Sequence, residues 1–149
     1  MKRDAPPRRP PPDLVSVLEH RVAFWETDAM GIMHHANYVK LLEMARVLWL
    51  REHDVPYRDW VDQERHFAVT HVDVRYRRAV RFDDPIQVAV WLEWVKGASC
   101  GIAYEVRAGE ELVATGRTEH GMVDGTGRVV RIPAERRESM ARKAAGRGD

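Results

Sequence analysis

Apolar and polar positions alternate from Leu14 onward, and VSVLEHRVAFW, rich in β-branched and aromatic residues, predicts a first strand over residues 15–25. The period then changes. Between Ala36 and His53, Tyr38, Leu41, Leu42, Ala45, Leu48 and Trp49 fall on one broad face of a helix turning ~100° per residue. Val39 and Leu50 lie on a second side, Met44 and Val47 on a third, and Lys40, Glu43 and Arg51 share a narrow polar wedge. A helix apolar on most sides is expected to be buried on most sides, which suits one wrapped by a curved sheet. Val55-Pro56 breaks this helix, and YRDWVDQER reads as a short second helix or turn.

Four strand-like runs follow, FAVTHVDVRYRRAV, PIQVAVWLEWV, CGIAYEVRA and ELVATGRTEHGMV, with turns at Asp83-Asp84-Pro85, Lys96-Gly97 and Gly109-Glu110. Alternation in IQVAVWLEW and GIAYEVRA marks antiparallel strands with one packed and one wetter face. The order predicts an α+β domain over residues 14–133, with a curved antiparallel sheet of about five or six strands around one central helix. Five prolines in residues 1–13 predict a mobile or extended Pro/Arg-rich arm, and residues 134–149 a charged tail, helical in part. No internal repeat is present.

Composition narrows the context. The 149 residues suit one domain with a proper core, and 44% hydrophobic residues is the share of a globular chain. A net charge of +1 demands no nucleic-acid or anionic-membrane partner, although both ends are basic. Cys100 stands alone, so no intrachain disulfide forms, and it reads as a small core hydrophobe. The N-terminus lacks the apolar stretch of a signal peptide, and no apolar run approaches the ~20 residues of a membrane span. A reducing, cytoplasmic setting is the simplest expectation.

The candidate chemistry concentrates in FWETDAMGIMHHANYV, residues 24–39, between strand and helix. Asp28 sits on an irregular loop where a carboxylate faces a ligand, a placement that equally suits an Asx turn. Gly31 permits a backbone conformation other residues resist and close approach of a ligand. The N–H groups from His35 to Tyr38 start a helix and offer unpaired donors. Asn37 reads as a cap of that helix start, Tyr38 and Trp49 as core. Glu26, two residues before Asp28, reads as solvated or salt-bridged, since two acids on one short segment do not make a glycosidase pair. His34 is expected to be exposed or to line the site. Adjacent histidines generally point apart, and no H-E-x-x-H spacing occurs, so no metal site is expected. Glu43 and Arg46 are spaced for an intrahelical pair.

ETDAMGIMHHANYV followed by LLEMARVLWL resembles the acyl-CoA thioesterases of the hotdog fold, in the branch of 4-hydroxybenzoyl-CoA thioesterase and the YbgC-type enzymes. That pattern, roughly D-T-D-x-x-G-h-h-x-H-x-N-Y then F-E-x-A-R, is met by Thr27, Asp28, Gly31, His35, Asn37, Tyr38, Glu43, Ala45 and Arg46. VDVRY, FDDPIQV and KGAS are weaker echoes, and the resemblance covers about residues 17–133. It departs at Glu26, where many relatives have Asp, at His34, where an aromatic is common, and at Arg78, often proline.

The resemblance implies hydrolysis of an acyl-CoA, or an acyl carrier protein thioester, with Asp28 as general base or nucleophile and His35 as a catalytic assistant. Gly31, His34, Asn37 and Tyr38 become candidate substrate contacts. Lys96 and Ser99 are candidates to hold the phosphates of coenzyme A. Glu43 is the reserve carboxylate, because some thioesterases of this fold carry theirs on the helix. No cofactor is expected beyond the coenzyme A of the substrate, and the resemblance implies a homodimer or homotetramer. A hydratase of the same fold would show Asp, Asn-Pro and then His five residues after the Asp, where this chain has Met33 and no Asn-Pro. A noncatalytic acyl-CoA-binding module would not need Asp28.

Overall fold

A computed structural model describes residues 5–146. Its elements are β1 (Ser16–Arg21), α1 (His35–His53), α2 (Tyr57–Asp62), β2 (His66–Tyr76), β3 (Pro85–Val95), β4 (Ser99–Ala108), β5 (Glu111–Val123) and α3 (Ala134–Lys143). Single 3-10 turns occupy Pro12–Leu14 and Phe24–Glu26. The strands make one antiparallel sheet in the order β1-β3-β4-β5-β2. The β3 and β5 runs start and stop where the alternation predicted. Residues 128–133 add no strand, only a Val123–Val129 bridge pair.

Alternation along β3 sends Ile86, Val88, Val90 and Leu92 into the main core and Ala89 and Trp91 to the opposite face. Bulges between Val69 and His71, Leu92 and Trp94, and Val106 and Arg107 strengthen the local twist. The sheet thus curls over α1, which buries Tyr38, Leu41, Leu42, Ala45, Trp49 and Leu50 against it. At ~2 kcal/mol for each of the five large side chains, that face contributes about 10 kcal/mol of apolar burial before entropy is charged against it. Gly116 of β5 allows the close approach, since a Cβ there would sit 3.2 Å from the Leu42 Cδ1 atom.

Burial on most sides of α1 is not what the single chain provides. Val39 stays 40% and Met44 50% exposed, because five strands cover one broad side of a helix and no more. Part of the helix therefore faces outward, and on the free edge strand β2, Val69, Val72 and Tyr76 are also exposed.

The outer sheet face is partly covered by both chain ends. Pro7 is buried, Arg117 donates to the Ala5 carbonyl at 2.8 Å, and Arg9 lies 3.6 Å from Glu105. The first four residues of the Pro/Arg-rich arm lie outside the described residues. At the other end α3 seats Met140 in the core, pairs Arg136 with Asp54 at 3.1 Å and donates from Lys143 to the His53 carbonyl.

Candidate active site

The loop between β1 and α1 is built around Glu26, which is only 2% exposed. Its carboxylate accepts from the Ala23 N–H and from His20 Nε2, both at 2.7 Å. Its carbonyl accepts from the His34 N–H and from the Asn37 side-chain amide, both at 2.8 Å. One residue therefore ties the loop to β1 on one side and to the start of α1 on the other. The expectation of a solvated acid fails for Glu26, whose buried carboxylate is instead hydrogen-bonded to His20.

The chain turns back on itself between Thr27 and Met33, which form a bridge pair. At the tip, the Gly31 N–H donates to the Asp28 carbonyl at 2.9 Å, and Gly31 has φ +77°, a region glycine adopts without strain. The Asp28 carboxylate accepts from the Met30 N–H at 2.8 Å, an Asx turn that fixes its direction. Asp28 remains partly exposed on this turn, directly before α1. The two readings of Asp28 are compatible: one oxygen holds the turn, and the other stays available to chemistry.

His34, not Asn37, caps the helix, its Nδ1 accepting from the Ala36 N–H at 3.1 Å. Asn37 is drawn inward by the Glu26 carbonyl and is 8% exposed, and Tyr38 is 3% exposed against the core. Burial pushes the Tyr38 hydroxyl up to about 12, with Tyr76 adding to it. His34 and His35 do not diverge: their ring centroids lie 4.2 Å apart, with the planes tilted by 31°. The Ala36 N–H goes to His34 Nδ1 and the Asn37 N–H to the His34 carbonyl, so the His35 N–H is the first-turn donor that no described loop residue engages.

Two neighbours escaped the sequence reading. Tyr76, ending β2, donates its hydroxyl to the His35 carbonyl at 2.9 Å and packs edge-on against Tyr38 at 5.1 Å. Arg81 pairs with Ile32 across the loop, and a Cβ on Gly31 would lie 3.4 Å from its guanidinium. The VDVRY echo marked Tyr76, but nothing local marked Arg81, which reaches the loop only through the fold.

Lys96 and Ser99 flank the turn joining the C-terminal end of β3 to β4, whereas the Asp28 loop sits at the start of β3, where the Val22 N–H meets the Asp84 carbonyl. Eleven strand residues separate the two ends, about 33 Å. Within one chain they do not share a site with Asp28, and Lys96 lies over the Trp94 ring. Glu43, the reserve carboxylate, lies two turns along α1 and faces Arg46 at 3.8 Å. Among the described residues, no three His, Cys, Asp or Glu side chains gather as metal ligands, and no helix is long and apolar enough to cross a membrane.

Residues 22–142 match the Thioesterase-like superfamily. A candidate esterase of Aquifex aeolicus is 34% identical over 119 residues, covering 80% of this chain and 92% of that one. The acyl-CoA thioester hydrolase YbgC of Escherichia coli is 32% identical over 79 residues, 53% of this chain and 59% of its own length. Among solved structures, the DHNA-CoA thioesterase of Staphylococcus aureus superposes with a TM-score of 0.76 at 28% identity, covering 78% of this chain and 80% of that one.

Proposed function

Because this chain belongs to the thioesterase-like superfamily and folds as a hotdog domain, we propose that it is an acyl-CoA thioesterase whose hydrolytic group is Asp28. The observation that carries the site is Asp28's mounting: a carboxylate on a braced turn at the head of α1, one oxygen committed to the Met30 N–H. The thioester carbonyl lies toward the His35 N–H, where the helix start stabilises the negative charge that develops on oxygen. Asp28 either takes a proton from water, which adds to the carbonyl, or adds itself to give an anhydride that water then opens. Both routes expel the coenzyme A thiolate, which leaves as the thiol once protonated, together with the free acid. His35, exposed beside this turn, is placed to assist, and Gly31 lets the substrate approach. Water, the carboxylate and backbone donors suffice, so no cofactor is required.

The finer features belong to the same reading. The free β2 edge with Val69 and Val72, and the uncovered Val39–Met44 side of α1, support pairing with a second copy, as a dimer or tetramer. An acyl carrier protein thioester suits the site as well as a coenzyme A ester, and a cytoplasmic setting fits both.

Asp28→Asn tests the assignment, because the amide oxygen keeps the Met30 N–H and hence the turn. Thiol release across short, long, branched and aromatic acyl-CoAs should fall by at least about 10³-fold in kcat/KM. Activity within about tenfold of the parent would remove Asp28 from the chemistry.

A further inference from the structure

The residue that caps α1 is fixed in more than position. His34 is half-buried, its N–H donates to the Glu26 carbonyl at 2.8 Å, and its carbonyl accepts from the Asn37 N–H at 3.0 Å. The Thr27–Met33 pair returns it alongside the segment that carries Asp28. Its Nδ1 accepts from the Ala36 N–H at 3.1 Å. A ring nitrogen that accepts from an N–H carries no proton of its own, so the imidazole is neutral and its single proton sits on Nε2. Contact with the His35 ring, centroids 4.2 Å apart, restricts its rotation further.

The two nitrogens lie on opposite edges of the ring, so with Nδ1 turned to the helix, Nε2–H points away from it. Among the described residues none accepts from Nε2–H. The His35 N–H, one residue on, is likewise unmatched by the loop. Two donors without acceptors thus stand on neighbouring residues beside the Asp28 turn. Capping alone does not account for histidine here, because serine, aspartate and asparagine are the preferred caps. His34 is also one of the positions at which the chain departs from the family pattern. An imidazole kept neutral at a helix start is suited to donate a hydrogen bond to a carbonyl. It is unsuited to give up its proton, since that would leave an imidazolate.

Resting on the thioesterase reading above, we propose that His34 is a further catalytic residue, its Nε2–H donating to the thioester carbonyl oxygen alongside the His35 N–H. The proton stays on Nε2 throughout. As water or Asp28 adds to the carbonyl carbon, the π pair moves onto oxygen and the hydrogen bond tightens on the growing charge. It slackens when the carbonyl re-forms and the carbon–sulfur bond breaks, and the departing thiolate is protonated from water, not from His34. A bond that strengthens only as charge develops lowers the barrier without tightening substrate binding, so its loss falls on kcat rather than KM.

The full chain, labelled with nitrogen-15 in histidine, is read by NMR at pH 7. The His34 proton is expected on Nε2, with a signal that moves on saturation with a CoA thioether carrying a 2-oxopentyl group. A CoA thioether carrying a pentyl group, which lacks the oxygen, should leave that signal in place. His34→Ser keeps the cap, because its hydroxyl accepts from the Ala36 N–H. Its Tm should stay within about 2 °C and its KM within about threefold, while kcat for thiol release falls by about 10²-fold or more. A proton on Nδ1, a signal that moves with both thioethers or with neither, or a folded His34→Ser with kcat within about threefold of the parent overturns the proposal. Where kcat and Tm fall together, the helix start itself has changed, and the two thioethers decide. Asp28→Asn lowers turnover but leaves both NMR readouts in place, so failure of the hydrolytic assignment and failure of this donor are told apart.

Discussion

Replacing Glu26 separates a carboxylate that builds the site from one that reacts in it. The side chain is 2% exposed and accepts two hydrogen bonds at 2.7 Å, from the Ala23 N–H and from His20 Nε2. Removing the acceptor shared by two donors costs about 3–5 kcal/mol, at about 1–3 kcal/mol for each donor left unsatisfied. Glu26→Ala should therefore lose about 4 kcal/mol in urea unfolding, and at ~3 °C per kcal/mol its Tm should fall by roughly 12 °C. Glu26→Gln keeps the Oε1 that accepts from both the Ala23 N–H and His20 Nε2 and gives up only the negative charge, costing about 1–2 kcal/mol. The backbone carbonyl that holds His34 and Asn37 survives both changes. Below its melting temperature, Glu26→Gln should thus keep kcat/KM within about tenfold of the parent in a thiol-release assay. A folded Glu26→Gln as inactive as Asp28→Asn would refute this reasoning and make Glu26 a participant in the chemistry.

Gly31→Ala should cost about 1–2 kcal/mol, because φ +77° is unfavourable for alanine, and its kcat/KM should drop as the Asp28 turn relaxes; urea unfolding alongside thiol release checks both. His120 sets a pH dependence. Burial, and then the Arg46 charge, lower its folded pKa to about 4 from the ordinary 6.5, so the unfolded chain binds the extra proton, and the neutral ring's stability contribution is complete above pH 6.5 and lost as pH falls through 4. That depression corresponds to about 3 kcal/mol, and ΔG of unfolding measured from pH 7 to 4 should lose that slope in His120→Gln.

The local pattern determined most of the fold. Period-two alternation placed β3 and β5 to the residue, a 3.6-residue period placed α1, and Asp83-Asp84-Pro85 and Gly109-Glu110 placed turns, because all of these are short-range properties of backbone and side-chain geometry. The motif around Asp28 was legible for the same reason: its turn is made by residues at most four apart, Asp28 to Ile32. What the pattern could not decide was which polar side chains turn inward. Glu26 reads as solvated or salt-bridged, with no partner named, until His20 and Asn37 arrive from other elements, and Asn37 reads as a cap until the Glu26 carbonyl draws it away and His34 takes the role. Lys96 and Ser99 match a binding signature but stand at the far end of β3, a separation set by strand direction rather than by sequence distance. Arg46, Tyr104, Thr118 and His120 come from three elements and meet only because β4 pairs with β5 beneath α1. Sequence alone thus determined the elements and the carboxylate at the head of the helix. The tertiary structure decided which charges are buried and what they touch, because the energy of a buried polar group depends on partners that only long-range packing supplies.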